Sequence, residues 1–433
     1  MRVTFSDVPR SISHLFADTR PLRNHHFRRL WVANIITVIG AQLTVVAVPA
    51  QLYADTGESF YVGLAGVFGL VPLVIFGLYG GALADVFDRR TILVVTTVGL
   101  IVTSALFWAQ AAAGNENVWL LLCLFSVQQA FFAVNQPTRS AVIPRLIEPE
   151  LLPAANSLSM TVTMAGAIAG PLVAGILIPI IGFEWMYLID TFTLFATLGA
   201  VLRLPSLTVL DAVAGAPGIR AVIDGFVYLR TQPVLLMSFV VDLIAMVFGM
   251  PRALFPEIAH LSFDGPDNGG IVFALLFAAI PAGSVIGGVF SGWVSRIERQ
   301  GLAVVVCIGI WGVAMAGFGV AVALADHWMT PMLVVALVML VVGGAADMAS
   351  AAFRSAMLQS AADDAMRGRL QGVFIVVVAG GPRIADTLHG ASAAAVGTAA
   401  AAAGGGVLVV VGVVVASLAV PSFVRYRITR TAS

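Results

Sequence analysis

The chain contains no lysine, and all 23 of its basic residues are arginines. Without lysine it cannot build a phosphate loop ending in Gly-Lys-Ser/Thr, and it cannot form a Schiff base with a carbonyl substrate. The absence therefore argues against an ATP-driven pump contained in this chain.

Cysteine and clustered metal ligands are also scarce. The two cysteines, Cys123 and Cys307, lie inside apolar runs, where small buried hydrophobes are commoner than a disulfide or a metal site. The six histidines are scattered, and neither His-Glu-x-x-His nor Cys-x-x-Cys occurs. We predict no metal, no cofactor, no enzymatic activity and no nucleic-acid partner.

Charge is scarce as well, at 11% of residues, whereas 59% are hydrophobic and the mean hydropathy is +0.98. A soluble domain carries about a quarter charged residues. Apolar runs near 20 residues recur along the chain, and each can cross a hydrocarbon core of roughly 30 Å as a helix. The composition predicts an all-α, multi-pass membrane protein.

We place twelve spans in two groups of six, separated by a polar stretch. The predicted organisation is a tail over 1–27, a six-helix bundle over 28–204, a linker over 205–232, a second bundle over 233–424 and a tail over 425–433. The individual spans are predicted at 28–53, 59–83, 91–112, 118–140, 151–180, 183–204, 233–258, 269–294, 301–324, 331–358, 371–398 and 404–424.

The arginines fall almost entirely on one side of this layout, together with both tails, and acidic residues mark the other side. Arginine-rich loops stay in the cytoplasm, so both termini are predicted to be cytoplasmic. Arg252 is the one arginine near the acidic loops. The alanine- and glycine-rich, lysine-free composition suggests a GC-rich bacterium and hence its inner membrane.

The two groups of spans resemble each other. RSAVIPRLIEPELLPAANSL (139–158) aligns without gaps to RSAMLQSAADDAMRGRLQGV (354–373), and GALADVFDR (81–89) aligns to GVFSGWVSR (288–296). Repetition of this kind is typical of transporters built from two related bundles. Within the linker, Ile219, Val222, Phe226 and Leu229 follow the spacing of an amphipathic helix at the inner membrane face.

GGALADVFDRR (80–90) resembles the loop motif between the second and third helices of the major facilitator superfamily, although Val86 replaces a usual basic residue. The resemblance implies that Asp85 meets a helix end of the opposite half and that Arg89 supports this contact, which would close the cytoplasmic side. The predicted cytoplasmic gate comprises Gly81, Asp85, Arg89, Arg90, Arg139, Arg296 and Arg354. A loop that only sets topology is the alternative.

GAIAGPLVAG (166–175) resembles the helix-packing motif of the fifth helix in exporters of that superfamily, with Gly166, Gly170, Pro171 and Gly175. Longer stretches, including VAVPAQLYADTGESFYVGLAG (46–66) and FAAIPAGSVIGGVFSG (277–292), resemble its enterobactin-exporter branch. That branch implies a siderophore or hydrophobic drug as substrate. We also expect a monomer and proton-coupled antiport.

Charged residues inside the spans are the main candidates for function, because each costs at least about 2.5–3.5 kcal/mol to insert. The predicted substrate or proton pathway comprises Gln42, Gln128, Gln129, Asn135, Asp242, Asp347, Arg383 and Asp386. Arg383 and Asp386 share a helix face, which His389 continues, and they are candidates to pair. Asp190 is interpreted as structural.

Two functions remain open from the sequence. One is a secondary exporter of a bulky organic solute that uses alternating access and is driven by protons. The other is a flippase for a lysophospholipid or another lipid-like substrate, for which Asp347, Arg383 and Asp386 would meet the head group. A static receptor that retained the fold is disfavoured, because it would have little reason to keep Asp85, Arg89 and intramembrane charges.

Overall fold

The computed structural model describes residues 18–205, 227–361 and 364–427, and within these ranges it contains helices and no strand. Side chains are not described at 78–86, 295, 360–376 and 379. Most of the predicted tails and of the amphipathic linker therefore lie outside the described residues. The all-α prediction is confirmed.

The described part of the first half, up to Leu202, forms five long helices. They are α1 (His25–Thr56), α2 (Ser59–Val86), α3 (Arg89–Ala112), α4 (Val118–Leu146) and α5 (Leu152–Leu202). Side chains cap three of their starts: Asn24 accepts hydrogen bonds from the amides of His26 and Phe27, Asp88 from Arg90, and Asn117 from Trp119 and Leu120. These caps satisfy amides that have no partner within the helix.

Helix α5 contains the predicted break between the fifth and sixth spans. Gly182 has φ 84° and ψ 169°, a conformation that favours glycine, and it separates one arm over 152–181 from another over 183–202. The arms follow each other without a loop. Because the whole element has 51 residues, it is long enough for two membrane crossings.

The second half, from Pro233 onward, contains six long helices. They are α6 (Pro233–Gly249), α7 (Gly270–Val289), α8 (Gln300–Ala323), α9 (Met329–Ala361), α10 (Asp364–Val396) and α11 (Thr398–Ala419). The predicted span over 233–258 falls within one stretch, Pro233–Ser262, that is long and apolar enough to cross a membrane, but this stretch is not a single α-helix. Helix α6 ends at Gly249, and short turns over Arg252–Leu254, Phe255–Glu257 and Ile258–Ser262 follow it. Pro251 lies in the break and has no amide hydrogen with which to continue the helix.

Helix α7 also ends earlier than the predicted 269–294. It stops at Val289, and a 3₁₀ turn over Ser291–Arg296 follows. The stretch of the first half that aligns with this turn is 84–89, which contains the end of α2 at Val86 and the start of α3 at Arg89. The repeated sequences therefore have different local structures at this point.

Ten helices among the described residues are long and apolar enough to cross a membrane. One of these is the bent α5, and α10 is a further helix of 33 residues. The protein is thus a multi-pass membrane protein, and its helices agree with twelve spans.

The two halves meet along two glycine-lined seams, α2 against α10 and α5 against α7. In the first seam, a Cβ added at Gly63 would lie 2.7 Å from the carbonyl oxygen of Asp386 and 2.9 Å from Cα of Gly390. In the second, a Cβ added at Gly175 would lie 2.6 Å from Cβ of Ala274. Helices this close exclude larger side chains. Both seams lie toward the end of the molecule that carries residues 57–58 and 263–269.

Candidate functional site: a cavity between the halves

A cavity of about 90 Å³ lies between the two halves. Four elements from both halves contribute its polar and aromatic lining, which consists of Phe125, Gln129, Arg252, Phe277, Arg383 and Asp386. Val45, Val62 and Ala65 supply apolar surface. The cavity therefore brings together three residues of the predicted pathway, Gln129, Arg383 and Asp386.

Arg383 of α10 reaches across the interface into the first half. Its Nη2 donates a hydrogen bond to Oε1 of Gln129 in α4 at 2.9 Å, and its guanidinium lies 5.4 Å from the ring centroid of Phe125. Gly69 of α2 makes room for it, because a Cβ there would lie 3.1 Å from the central guanidinium carbon. Arg383 thus contacts α2 and α4 of the opposite half.

Arg252 enters the cavity from the second half. It lies in the turn that follows the interruption of α6, half-buried, with its guanidinium 5.7 Å from the ring centroid of Phe277. The sequence identifies Arg252 only as the one arginine near the acidic loops and does not predict that it lines the cavity. The missed signal is Met250-Pro251, which ends the helix and turns the following residue inward.

Asp386 faces the same cavity, yet within the described residues no ion pair of 4.0 Å or less joins it to Arg383 or Arg252. The expected pairing of Arg383 with Asp386 is therefore absent from this conformation. His389 does not extend a polar stripe along the cavity. It is only 2% exposed. Its Nδ1 lies 3.0 Å from the carbonyl oxygen of Ala385, and its Nε2 lies against Gly405 of α11.

A separate ionic cluster occupies the second half. Arg354 of α9 forms a buried ion pair with Asp242 of α6, and its Nη2 lies 3.9 Å from Oδ1 of Asp347. Arg354 and Asp242 are almost completely buried, whereas the side chain of Asp347 is 32% exposed. The cluster holds two carboxylates and one guanidinium. One carboxylate can therefore take up a proton while the other keeps its ion pair with Arg354.

Arg354 belongs to the predicted gate, but the contacts described here engage it within its own half. Arg139, which aligns with it in the first half, donates from Nη2 to the carbonyl oxygen of Leu30 in α1 at 3.4 Å. Each arginine thus lies near the end of the fourth helix of its half and contacts the first. The repeated Arg-Ser-Ala sequence has an equivalent place in both halves.

The other gate residues lie at the opposite end of the molecule from the seams. Nη1 of Arg89 donates to the carbonyl oxygen of Ala141 at 2.9 Å, and Nη2 of Arg90 donates to that of Leu202 at 2.7 Å. Arg296 is exposed. Gly81 and Asp85 belong to α2, and the contacts predicted for them lie outside the described side chains.

The remaining predicted residues serve contacts within the first half. Asn135 donates to the hydroxyls of Thr96 and Thr97 at 2.8 and 3.3 Å. Gln128 is buried, and Gln42 lies against α5, where a Cβ added at Gly170 would be 2.9 Å from its Cγ. A Cβ added at Gly166 would likewise overlap the side chain of Val38 in α1. Pro171 is buried beside Gly170. Gly175 instead faces the other half, as described above.

Asp190 is buried in a hydrogen-bonded cluster of the first half. One carboxylate oxygen, Oδ2, accepts hydrogen bonds from Thr44 at 2.7 Å and from Ser104 at 3.1 Å. The other, Oδ1, has no hydrogen-bond partner among the described residues. The cluster joins α1, α3 and the second arm of α5, which agrees with a structural role.

This architecture defines a transporter of the major facilitator superfamily: two helical halves, each with its own repeated arginine, enclose a polar cavity. The chain belongs to the family described as transmembrane secretion effectors, whose model matches residues 16–428.

Similar proteins include the enterobactin exporter EntS of Escherichia coli O1:K1 and that of Shigella boydii serotype 18. Each is 26% identical over 376 residues, which is 85% of this chain and 85% of the relative. Among solved structures, a bacterial homologue of the human lysosomal transporter Spinster, inward-facing and unoccupied, matches with a TM-score of 0.71 and 15% identity. The match covers 96% of this chain and 100% of that one.

Proposed function

We propose that the protein exports a bulky organic solute across the bacterial inner membrane by alternating access, driven by protons that move inward. The observation that carries this proposal is the cavity between the halves, which contains Arg252, Arg383 and Asp386. Charges held within a membrane are costly and mark transport pathways. The similarity to enterobactin exporters favours a siderophore-like cargo.

Alternating access requires that one end of the molecule closes while the other opens. With both termini in the cytoplasm, the two glycine seams lie on the extracellular side, so the described conformation is closed outward. Glu257 and Ser59 join the halves at that end, where the amide of Ser59 donates to Oε2 of Glu257 at 3.0 Å. In the alternative conformation, Asp85 and Arg89 would close the cytoplasmic end.

Three carboxylates are candidates to carry the proton: Asp242, Asp347 and Asp386. Asp347 suits the role because its partly exposed side chain shares one guanidinium with Asp242. A cluster with two acids and one base gains or loses a proton more readily than a matched pair. Asp386 suits it because it lies in the cavity itself without an ion pair among the described residues.

Transport into proteoliposomes tests this proposal. Purified protein is reconstituted with an imposed pH gradient, and uptake of a radiolabelled siderophore, tested with and without a free carboxylate, is followed into inside-out proteoliposomes. We expect accumulation that collapses with a protonophore. Asp242→Asn, Asp347→Asn and Asp386→Asn should include at least one variant that exchanges solute but no longer accumulates it. No gradient-driven movement of the siderophore or of hydrophobic drugs would contradict the proposal.

A lipid flippase is the second candidate. A wide apolar groove between α2, α3 and α4 favours it, lined among others by Phe76, Val95 and Phe131. A flippase would move a fluorescent lysophospholipid between leaflets in the same vesicles. Movement of this lipid without movement of the soluble solutes would replace the first proposal by this one.

A further inference from the structure

Two guanidinium groups of the cavity, those of Arg252 and Arg383, have no carboxylate oxygen within 4.0 Å among the described residues. Among the described residues, Arg252 makes neither a hydrogen bond nor an ion pair, and Arg383 donates only to the neutral Gln129. Arg354 shows the contrast, because it is more buried than either arginine and is paired with Asp242. An arginine within a membrane normally finds a partner. The unused donors of Arg252 and Arg383 therefore point to a ligand.

The chemistry of the cavity indicates what this ligand carries. A guanidinium presents a planar fork of donors that fits a carboxylate with two parallel hydrogen bonds. Counting Arg252, Arg383 and Asp386, the lining has a net charge of +1. Such a lining favours an anion over a neutral or cationic group.

The rest of the lining favours an aromatic ring beside the anionic group. Each arginine lies over a phenylalanine, Arg252 over Phe277 and Arg383 over Phe125. These rings hold the guanidinium planes in place and offer further aromatic surface beside Val45 and Val62. A ring bearing a carboxylate would use both features.

We propose that Arg252 and Arg383 bind an aromatic carboxylate group of the transported solute, and that Asp386 competes with this group for the two guanidiniums. The inference deepens the proposed function by naming the substrate class, and it rests on that function. When the solute is absent, Asp386 is the only carboxylate among the described residues that line the cavity. When the solute is bound, its carboxylate accepts hydrogen bonds from the guanidiniums of Arg252 and Arg383. The carboxylate of Asp386 is then left without a guanidinium partner.

Equilibrium binding of a matched pair of probes tests this site. Radiolabelled benzoate and benzamide have the same ring and differ in charge, and they are titrated against the purified full-length protein in nanodiscs at pH 7. We expect benzoate to bind about tenfold more tightly, as one charge-assisted contact allows. Arg252→Gln and Arg383→Gln should each abolish this preference and leave benzamide binding within about twofold.

Two further variants separate this site from a loss of fold. Asp386→Asn removes the competitor and should tighten benzoate binding, a gain that misfolding cannot produce. Arg252→Lys keeps the charge but loses the fork, so the preference should fall only part of the way. Arg20→Gln, at an exposed arginine distant from the cavity in the chain, should behave as the native protein.

Equal binding of the two probes, a preference retained in both glutamine variants, or no saturable benzoate binding up to about 10 mM would each overturn the inference. The outcome is independent of the transport assay, because binding needs no gradient. If benzoate is preferred and no solute crosses proteoliposomes, the export proposal fails while the site stands. If export occurs without this preference, only the site fails.

Discussion

The carboxylate of Glu257 accepts a hydrogen bond from the backbone amide of Ser59, with 3.0 Å between nitrogen and Oε2. Ser59 is the first residue of α2, so this acid from the second half caps a helix of the first half. The amides at a helix start lack partners within the helix and carry partial positive charge, which an acid satisfies. Tyr53 and His260 meet nearby, with ring centroids 6.0 Å apart.

Removal of this cap should favour opening of the end that carries Ser59. Glu257→Ala loses the contact through which a carboxylate of the second half holds the start of α2. Spin labels at Asn115 and His327, both exposed at that end in different halves, would report the change by electron–electron distance measurements after Cys123 and Cys307 are replaced. We expect a larger population of long distances.

Asp267→Ala provides the matched control, since Asp267 is an exposed acid at the same end and in the same half. It should leave the distance distribution unchanged. Identical distributions for the two alanine variants would show that the Glu257 cap does not hold this end closed.

For the buried ion pair between Arg354 and Asp242, loss of one member should destabilise the protein more than loss of both. Arg354→Gln leaves the carboxylate of Asp242 buried at 1% exposure without its partner, and loss of one member of such a pair costs about 3–5 kcal/mol. The double variant Asp242→Asn/Arg354→Gln leaves no uncompensated charge in this pair and should recover part of that loss. Thermal unfolding in detergent measures both.

The exposed pair of Arg20 with Asp18 serves as its control. Its side chains are 64% and 35% exposed, and solvent screens such pairs. Asp18→Asn should leave the unfolding temperature unchanged. A double variant that is no more stable than Arg354→Gln would contradict the pairing.

The seam between α2 and α10 should not tolerate a side chain. A Cβ at Gly66 would overlap the carbonyl oxygen of Arg383 and lie 2.6 Å from the hydroxyl of Thr387. Overpacking of this kind costs about 1–3 kcal/mol, and here the cost falls on the conformation in which the seam is closed. Gly66→Ala should lower the unfolding temperature and slow transport.

Gly77 lies in the same helix, and an added Cβ meets nothing within 4 Å there. Gly77→Ala should be neutral or slightly stabilising, because alanine favours helix more than glycine does. Equal effects of Gly66→Ala and Gly77→Ala would indicate that helix propensity, rather than the seam, determines the response.

Asp190 should be replaceable by asparagine but not by leucine. The amide oxygen of Asp190→Asn can accept the hydrogen bonds that Thr44 and Ser104 now donate. Asp190→Leu leaves the buried hydroxyl of Thr44 without an acceptor, while that of Ser104 keeps the carbonyl oxygen of Tyr187 at 3.2 Å. We expect the leucine variant to lose about 1–3 kcal/mol more than the asparagine variant in the free energy of unfolding. Gradient-driven transport should survive in the asparagine variant. Its loss there would make Asp190 part of the proton pathway.

The positions of the helices were largely predictable because a membrane requires long apolar runs, and Gly182 marked the break between two of them. Contacts across the bundle were not predictable. Asp242 and Arg354 are 112 residues apart in the sequence, and no pattern of spacing links them. Arg383 and Asp386 share a helix face, but the guanidinium binds Gln129 across the interface instead of its neighbour.

Arg252 illustrates the same limit most clearly. Loop arginines and cavity arginines look alike in a sequence, and only the path of the backbone after Gly249 separates them. His389 shows the converse, since helical spacing from Asp386 suggested a shared face. Its ring instead turns back toward Ala385 and packs against α11.

The glycine seams also bear on how such a protein could change its cargo over evolutionary time. At Gly63 and Gly175 the backbone lies directly against a neighbouring helix. Nearly every substitution there therefore disrupts the packing of the two halves, whatever molecule is carried. In the cavity lining, by contrast, Arg252 and Asp386 form no ion pair of 4.0 Å or less with other described residues, so the fold loses no such pair when they change. Cargo preference is therefore free to drift by single substitutions beside Arg252 and Arg383, while the moving parts stay fixed and serve each new specificity unchanged.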